Sequence, residues 1–496
     1  MQLAIEQIRT SLSKEINVNR KKQLGQFFTP SRIASFMAGL FDIGSRERIR
    51  LLDAGAGIGS LSSAFLERCI KESCKIKEIE LHAIEIEKEF HRFLRRNLEY
   101  YKNNFDLKIR IIEDDFIDVA VNWLAGDLFS ESKFLRYSHA ILNPPYKKIR
   151  SNSRHRLKLR HVGIETVNLY TAFVALALSL LEKHGELVAI IPRSFCNGPY
   201  YRPFRKYILN LAAIKRIHLF HSRNTAFKDD DVLQENVIIK LERGGLHNKI
   251  IISTSTDDQF DDLNIFEVPV ENIIFPNDPE LLIHIPVSEQ EVFSKDRTNL
   301  NKSLNHLKVT VSTGPVIDFR VKEHLCKMPE HGTAPLLYPV HFKNGKVEWP
   351  NPDIKKSNAI RINTLTKKWL YPNGYYCVVR RFSSKEEKRR IVASVVEPQN
   401  FQNVSLLGFE NHLNVFHDNK KGLSRELAYG LAAYLNTDFV DKIFRVFSGH
   451  TQVNATDLKL LPYPDKEVLI KLGKLAIATG TTVSDELENY LVELVR

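Results

Sequence analysis

From Arg48 to about Lys240, short runs rich in β-branched residues alternate with stretches whose apolar residues recur every three or four positions. The short runs are the length of strands and the periodic stretches that of helices, so the pattern predicts a doubly wound α/β domain with a mostly parallel sheet. Seven strands are expected: Ile49 to Leu52, Glu80 to Glu85, Lys108 to Glu113, Ala140 to Leu142, Glu186 to Ile191, Ile214 to Phe220 and Val232 to Leu241. Helices are expected over Leu61 to Lys71, Lys88 to Tyr101 and Tyr170 to Lys183, the last stopped by His184-Gly185. The longest apolar stretch, Leu169 to Leu181, is too short to span a bilayer and suits a helix buried against the sheet.

The polar segment Ser253 to Asp262 breaks the rhythm and predicts a loop near the end of this domain. Beyond about Leu300 short strands, the turns Asn344-Gly345 and Pro372-Asn-Gly374, and many basic or aromatic residues predict a mixed second domain. Its closing helix should start near Asp485 with Ser484 as N-cap. We therefore expect a first domain over 1–265 and a second over 266–496.

With 43% hydrophobic and 26% charged residues in 496, both should fold. A net charge of +12 suits a polyanionic partner, although lysines scattered over any surface would total the same. The five cysteines have neither the Cys-x-x-Cys spacing of a zinc site nor the density of a disulfide scaffold, which implies a reducing compartment. Met1 to Gln26 has no apolar core of a signal peptide, so cytoplasm is expected.

Two segments carry the chemistry. Asp53-Ala-Gly55-Ala-Gly57-Ile-Gly59 ends the first strand, where glycines let a nucleotide-like cofactor touch the backbone and Asp53 could accept from a cationic amine. Glu85, one βαβ unit later, could accept the hydroxyls of a ribose, and Asp115-Phe116 could serve an adenine by hydrogen bond and ring contact. Taken singly, each has a plainer reading: a glycine-rich turn, a solvated glutamate, a surface acid beside a core ring.

The second segment is Asn143-Pro144-Pro145-Tyr146. A nucleobase amine is a weak nucleophile because its lone pair is delocalised, and its proton is too weakly acidic for a side-chain base to remove first. The Asn143 carboxamide oxygen and the Pro144 carbonyl can accept both N–H groups, and Tyr146 can stack on a base swung out of a duplex. That chemistry needs no metal. Alternatively the turn is a rigid strand cap.

Gly25-Gln-Phe-Phe-Thr29-Pro30, the glycine turn, Glu85, Asp115-Phe116 and Asn143 to Tyr146 stand in an order that resembles the gamma class of adenine-N6 DNA methyltransferases, whose fold has seven strands. Ser151 to Arg156, Gly163 to Tyr170, Pro192 to Pro199 and Ala226 to Asn236 extend the likeness to type II modification methylases of the PstI/BsuBI kind. The resemblance implies a Rossmann-like S-adenosylmethionine-binding catalytic domain followed by a target-recognition domain. It also implies Thr29 and Pro30 near the methionine end of the cofactor, Phe227 stacked on the target adenine opposite Tyr146, and CTGCAG as the methylated site in duplex DNA. A separately encoded endonuclease would act on the same site.

The basic run from Lys147 to Arg160 lies directly behind the Asn-Pro-Pro-Tyr turn, so Lys147, Lys148, Arg154 and Arg156 are candidate phosphate contacts, on a segment that would order in part on DNA; a solvated loop is the plainer reading. Val311 to Arg320 and Phe447 to Asn454 resemble segments bounding the recognition half, which makes His450, Gln452 and Asn454 candidates for DNA contact. The segment before Gly25 is too short for a nuclease domain, and Pro352-Asp353 with Glu386-Glu387-Lys388 is a chance match to a nuclease signature. The competing readings are an RNA-base or protein-glutamine methyltransferase with the same turn, and a non-catalytic DNA-binding relative.

Overall fold

The computed structural model describes residues 2–15, 28–44, 46–72, 75–104, 106–126, 136–221, 235–275, 278–289, 300, 302–343, 345–383, 387–447 and 452–495. The chain divides into two compact units, Met1–Val292 and Phe293–Arg496. The boundary expected after residue 265 is therefore corrected. It would cut through a strand, Asn264–Pro269, that is paired along its length with its neighbour.

Unit 1 is built on β1 (Arg48–Ala54), β2 (Glu78–Ile84), β3 (Asp106–Ile112), β4 (Tyr137–Leu142), β5 (Leu181–Pro192), β6 (Ala212–Phe220), β7 (Asn236–Arg243), β8 (Lys249–Ser255) and β9 (Asn264–Pro269). They form one sheet in the order β3-β2-β1-β4-β5-β7-β6-β8-β9. The seven expected strands are all present, in the doubly wound order with β7 antiparallel between β5 and β6. The count of seven is short by two, because Ser253 to Ser255 are strand and not loop: their side chains are buried and they pair with β6 and β9. Their polar letters hide this because Ser253 and Ser255 bond the buried ring of His218.

Helices α1 (Gln2–Glu15), α2 (Ser31–Gly39), α3 (Ser60–Glu72), α4 (Lys88–Glu99), α5 (Phe116–Gly126), α6 (Arg154–His161), α7 (Leu169–Leu180) and α8 (Arg202–Leu211) join the strands. The apolar helix α7 has nearly every side chain buried, packed on one sheet face with Leu52, Ala140 and Leu187. It stops at Leu180, short of the expected His184-Gly185, because Leu181 already pairs with Tyr137. Ile33, Met37, Phe65 and Leu94 cover the opposite face with Leu51, Ile79 and Ile141. Among the described residues no helix is long and apolar enough to cross a membrane.

Unit 2 holds a four-stranded antiparallel sheet in the order Thr310–Thr313, Leu413–His417, Tyr376–Arg380, Ala393–Val396. Cys377, Val379, Val395 and Phe416 on this sheet share a core with Leu427, Leu431, Leu469 and Leu472. Those leucines come from helices Arg425–Leu435 and Lys466–Thr479. The last helix is Asp485–Val495, and the Ser484 hydroxyl accepts from the Leu487 amide as an N-cap should. A second, five-stranded sheet of very short strands lies in the same unit.

Candidate active site

The site lies at the carboxyl edge of β1 and β4, which are parallel neighbours with Asp53 opposite Ile141. Two residues past Ile141, Asn143 leaves the sheet beside the glycine turn. Sheet register thus brings together the two motifs the sequence keeps far apart.

In that turn Gly55, Gly57 and Gly59 have φ of 77°, 55° and 85°, a region costly for any residue with a Cβ. A Cβ on Gly55 would lie 3.6 Å from the Phe173 ring, and one on Gly57 would lie 3.8 Å from Phe28. The turn therefore runs between two aromatic side chains. It is tied to β2 by Gly55 N–H and Ala56 N–H donating to the Ile84 carbonyl, at 2.9 and 3.0 Å.

Asp53 is fully buried. Its Oδ2 accepts from the Ser62 amide in the first turn of α3 and from the Ser62 hydroxyl, while Oδ1 has no hydrogen-bond partner among the described residues. Burial pushes its carboxyl up to about 7, the Ser62 bonds pull it back, and the nearby Glu85 adds to the rise. Glu85 is buried too, against the plainer reading of a solvated strand-end acid. Its two oxygens accept from the Gly57 amide at 2.7 Å and the Glu87 amide at 2.8 Å. Burial raises its pKa, the two amide bonds opposing.

Asp115 caps α5 by accepting from the Ile117 amide at 2.7 Å, and its other oxygen lies 3.1 Å from His155 Nε2. Burial works to raise its pKa, but the imidazole and the helix-start amides more than offset that and hold it low. Asp115, Asp118 and His155 cluster closely enough to hold a metal, yet Lys158 and Arg154 already pair with Asp118. Phe116 is in the core, its ring tilted against Phe173 at 4.9 Å. It supports the glycine turn through Phe173 instead of lining an open pocket.

The Asn143 Nδ2 donates to the buried Thr29 Oγ1 at 3.0 Å. Pro30 follows at the N-cap position of α2 and its carbonyl accepts from Ala34. Pro144 is buried, with Pro145 and Tyr146 half-buried. The Tyr146 hydroxyl donates to the Ile190 carbonyl at 3.2 Å, its ring meets Tyr170 edge-on at 6.2 Å, and desolvation raises its pKa. Phe227 and His450 lie outside the described residues.

The basic run is loop only as far as Ser153; its second half is helix. Ser153 accepts from the Arg156 amide and starts α6. Lys147 and Lys148 are exposed, and Arg154 is exposed although paired with Asp118. Arg156 is buried and paired with Glu165, which removes it from the candidates for phosphate contact.

In unit 2, Asn454 caps helix Ala455–Leu460 through Asp457, and Gln452 bridges to Phe382. Both carboxamide oxygens approach Arg381, at 3.5 and 3.4 Å. Phe28, Phe173, His155 and Arg381 were missed by sequence reasoning. Phe28, next to Thr29, and His155, between Arg154 and Arg156, stood inside segments already singled out; Phe173 and Arg381 are brought in by tertiary contacts.

Over 484 residues the chain is 52% identical to the type II methyltransferase M.BsuBI of Bacillus subtilis, covering 96% of this chain and 95% of that protein. It belongs to the type II restriction-modification methyltransferases. Type II methyltransferase M.PstI of Providencia stuartii is 42% identical over 95% of this chain and 92% of its own. The Eco57I restriction-modification methylase family matches residues 8–227 of this type II methyltransferase, spanning the glycine and Asn-Pro-Pro-Tyr turns. The cryo-electron microscopy structure of the DrdV–DNA complex shares its fold, with a TM-score of 0.51 at 13% identity over 97% of this chain and 60% of that one.

Proposed function

We propose that this type II methyltransferase methylates N6 of an adenine swung out of duplex DNA, with S-adenosylmethionine as donor and CTGCAG as the site. The observation that carries this is the Asn143–Thr29 hydrogen bond beside the glycine turn. With Nδ2 donating to Thr29, the carboxamide oxygen faces the Tyr146 hydroxyl at 3.4 Å, so Asn143 is an acceptor with a defined direction and a second lone pair to give.

The donor, when bound, supplies an electrophilic methyl on a sulfonium. The chain's residues suit that molecule. The unpartnered Asp53 Oδ1 is a buried acceptor awaiting a cation such as the methionine amine, and the Glu85 carboxylate has lone pairs beyond the two it gives to amides for ribose hydroxyls. Gly55 and Gly57 leave space that a Cβ would take.

Toward the acceptor base, the Asn143 oxygen and the Pro144 carbonyl receive the two N–H bonds of the amine. This draws the lone pair out of conjugation with the ring. Tyr146, held by the Ile190 carbonyl, offers a ring for stacking. Methylation at a pyrimidine carbon would instead need a thiolate to add to the ring. Among the described residues of unit 1 the cysteines are Cys69 and Cys196; both are buried, and desolvation pushes both thiols up to about 12.

Asn143→Ala should lower methyl transfer by roughly a hundredfold or more while leaving donor affinity nearly unchanged. Tritiated methyl transfer to duplex DNA, against RNA and protein acceptors, measures this; turnover within about tenfold of the parent would sink the assignment. Sequencing the methylated bases in DNA from cells expressing the chain tests both adenine and CTGCAG.

A further inference from the structure

We propose that Arg381 in unit 2 reads a guanine edge of the target, with Gln452 and Asn454 as positioning residues that aim its guanidinium. This rests on the chain being a site-specific DNA methyltransferase. Four segments distant in sequence meet here. Val316 pairs with Glu410, Arg381 N–H donates to the His412 carbonyl, and Phe382 pairs with Gln452.

Arg381 stands apart from its neighbours in how its charge is balanced. Arg380 pairs with Glu387, Arg389 with Asp438 and Arg445 with Asp441. Among the described residues Arg381 has no carboxylate partner. Its Nη1 donates to the Asn411 carbonyl at 3.2 Å, its Nη2 lies 3.4 Å from Gln452 Oε1 and 3.5 Å from Asn454 Oδ1, and its buried Nε has no partner. Neutral acceptors at those lengths direct a guanidinium without neutralising it. The fork is held in place and still short of strong acceptors, a state that suits the paired O6 and N7 of guanine.

The surroundings favour a base over a phosphate. Phe382, next to Arg381 in the chain, is 41% exposed, with its ring 5.1 Å from that of His412. His412 is itself fixed by the buried carboxylate of Glu410, 2.6 Å from Nδ1. An exposed ring next to a fixed arginine fits the apolar contacts made to base edges. The carboxamides named from sequence as base readers are engaged already, since the Asn454 amide nitrogen caps its helix through Asp457 and its oxygen faces Arg381.

The test uses the full chain and a set of duplexes carrying every single base-pair change in the methylated site. Arg381→Ala should keep donor affinity by calorimetry, lose roughly ten- to hundredfold on the parent site, and cease to discriminate at one G·C pair. Gln452→Ala should relax the same pair by a smaller factor, and the double variant should be no worse than Arg381→Ala. If Arg381→Ala does not fold, Arg381→Lys, which keeps the charge and loses the fork, must relax that pair. Uniform weakening on all duplexes with a shallower salt dependence would mean a phosphate contact and overturn the proposal, as would unchanged preference. A parent enzyme that modifies no DNA, or modifies no fixed site, would instead overturn the functional reading beneath it.

Discussion

As the proposed acceptor for the donor's amine, Asp53 should couple donor binding to pH. Its carboxyl, ordinarily near 3.8, is pushed up to about 7 by burial, so between those values the folded chain holds a proton that the unfolded chain has lost. This contribution to stability therefore falls as pH rises through that window. A cationic amine at Oδ1 requires the ionised form. Donor affinity should then strengthen by up to about tenfold per unit as pH climbs from about 6 to about 7, with proton release on binding. Calorimetry in buffers of different ionisation heat measures both, and Asp53→Asn should flatten the profile; proton-neutral binding by the parent would refute the coupling. Thr29→Val tests the neighbouring contact, since it strands the Asn143 amide and frees the carboxamide to turn over. The expected result is a fall in kcat of roughly tenfold to a hundredfold with donor Kd within about threefold of the parent. Equal losses in both would mean that Thr29 serves the donor directly. Of the residues concerned, Asp53, Glu85 and Asn143 were legible from sequence because each ends a strand inside a motif. The burial of Glu85 and the engagement of Arg156 with Glu165 were not, because charge says nothing about which partner lies across the fold.

Helices Arg425–Leu435 and Lys466–Thr479 of unit 2 show what element packing adds. They touch backbone to backbone. A Cβ on Gly430 would lie 1.9 Å from the Leu469 carbonyl oxygen, and one on Gly473 1.8 Å from that of Glu426. Neither distance is tolerable, so Gly473→Ala must push the helices apart and disturb the core that Leu431 and Leu472 share with the sheet. Overpacking of this kind costs about 1–3 kcal/mol. Thermal unfolding of the intact chain should show a clear loss for Gly473→Ala, while Gly39→Ala, with nothing within 4 Å of the added carbon, should be near neutral. Equal melting for both would rule out the close crossing. These helices were not expected from the sequence, where short strands and turns dominate the text after Leu300. The seven strands of unit 1 were, since period and β-branched content are local signals. Strand β8 escaped because its serines and threonine read as loop when the partner that buries them is unknown.

At the scale of the whole molecule the division at Val292 makes a direct prediction. A chain ending at Val292 should fold and bind S-adenosylmethionine, because the residues proposed to meet the cofactor and the buried Ile283 and Ile285 all lie within it. One ending after residue 265 would strip most of β9 from β8, removing Phe266 and Val268 from the core and uncovering Ile250 and Ile252, and should melt lower or aggregate. Similar melting of the two would place the end of the unit earlier. The sequence by itself determined the α/β class of unit 1, the order of its motifs and the chemistry each turn can perform, because glycine, proline and carboxamide properties act over a few residues. Tertiary structure decided which of those groups meet. Parallel pairing of β1 and β4 sets Asn143 beside the glycine turn, and antiparallel returns in unit 2 set Arg381 against Gln452 and Asn454. Such contacts join residues far apart in the chain, and their choice depends on burial and register summed over the whole sheet, which no local stretch of residues contains.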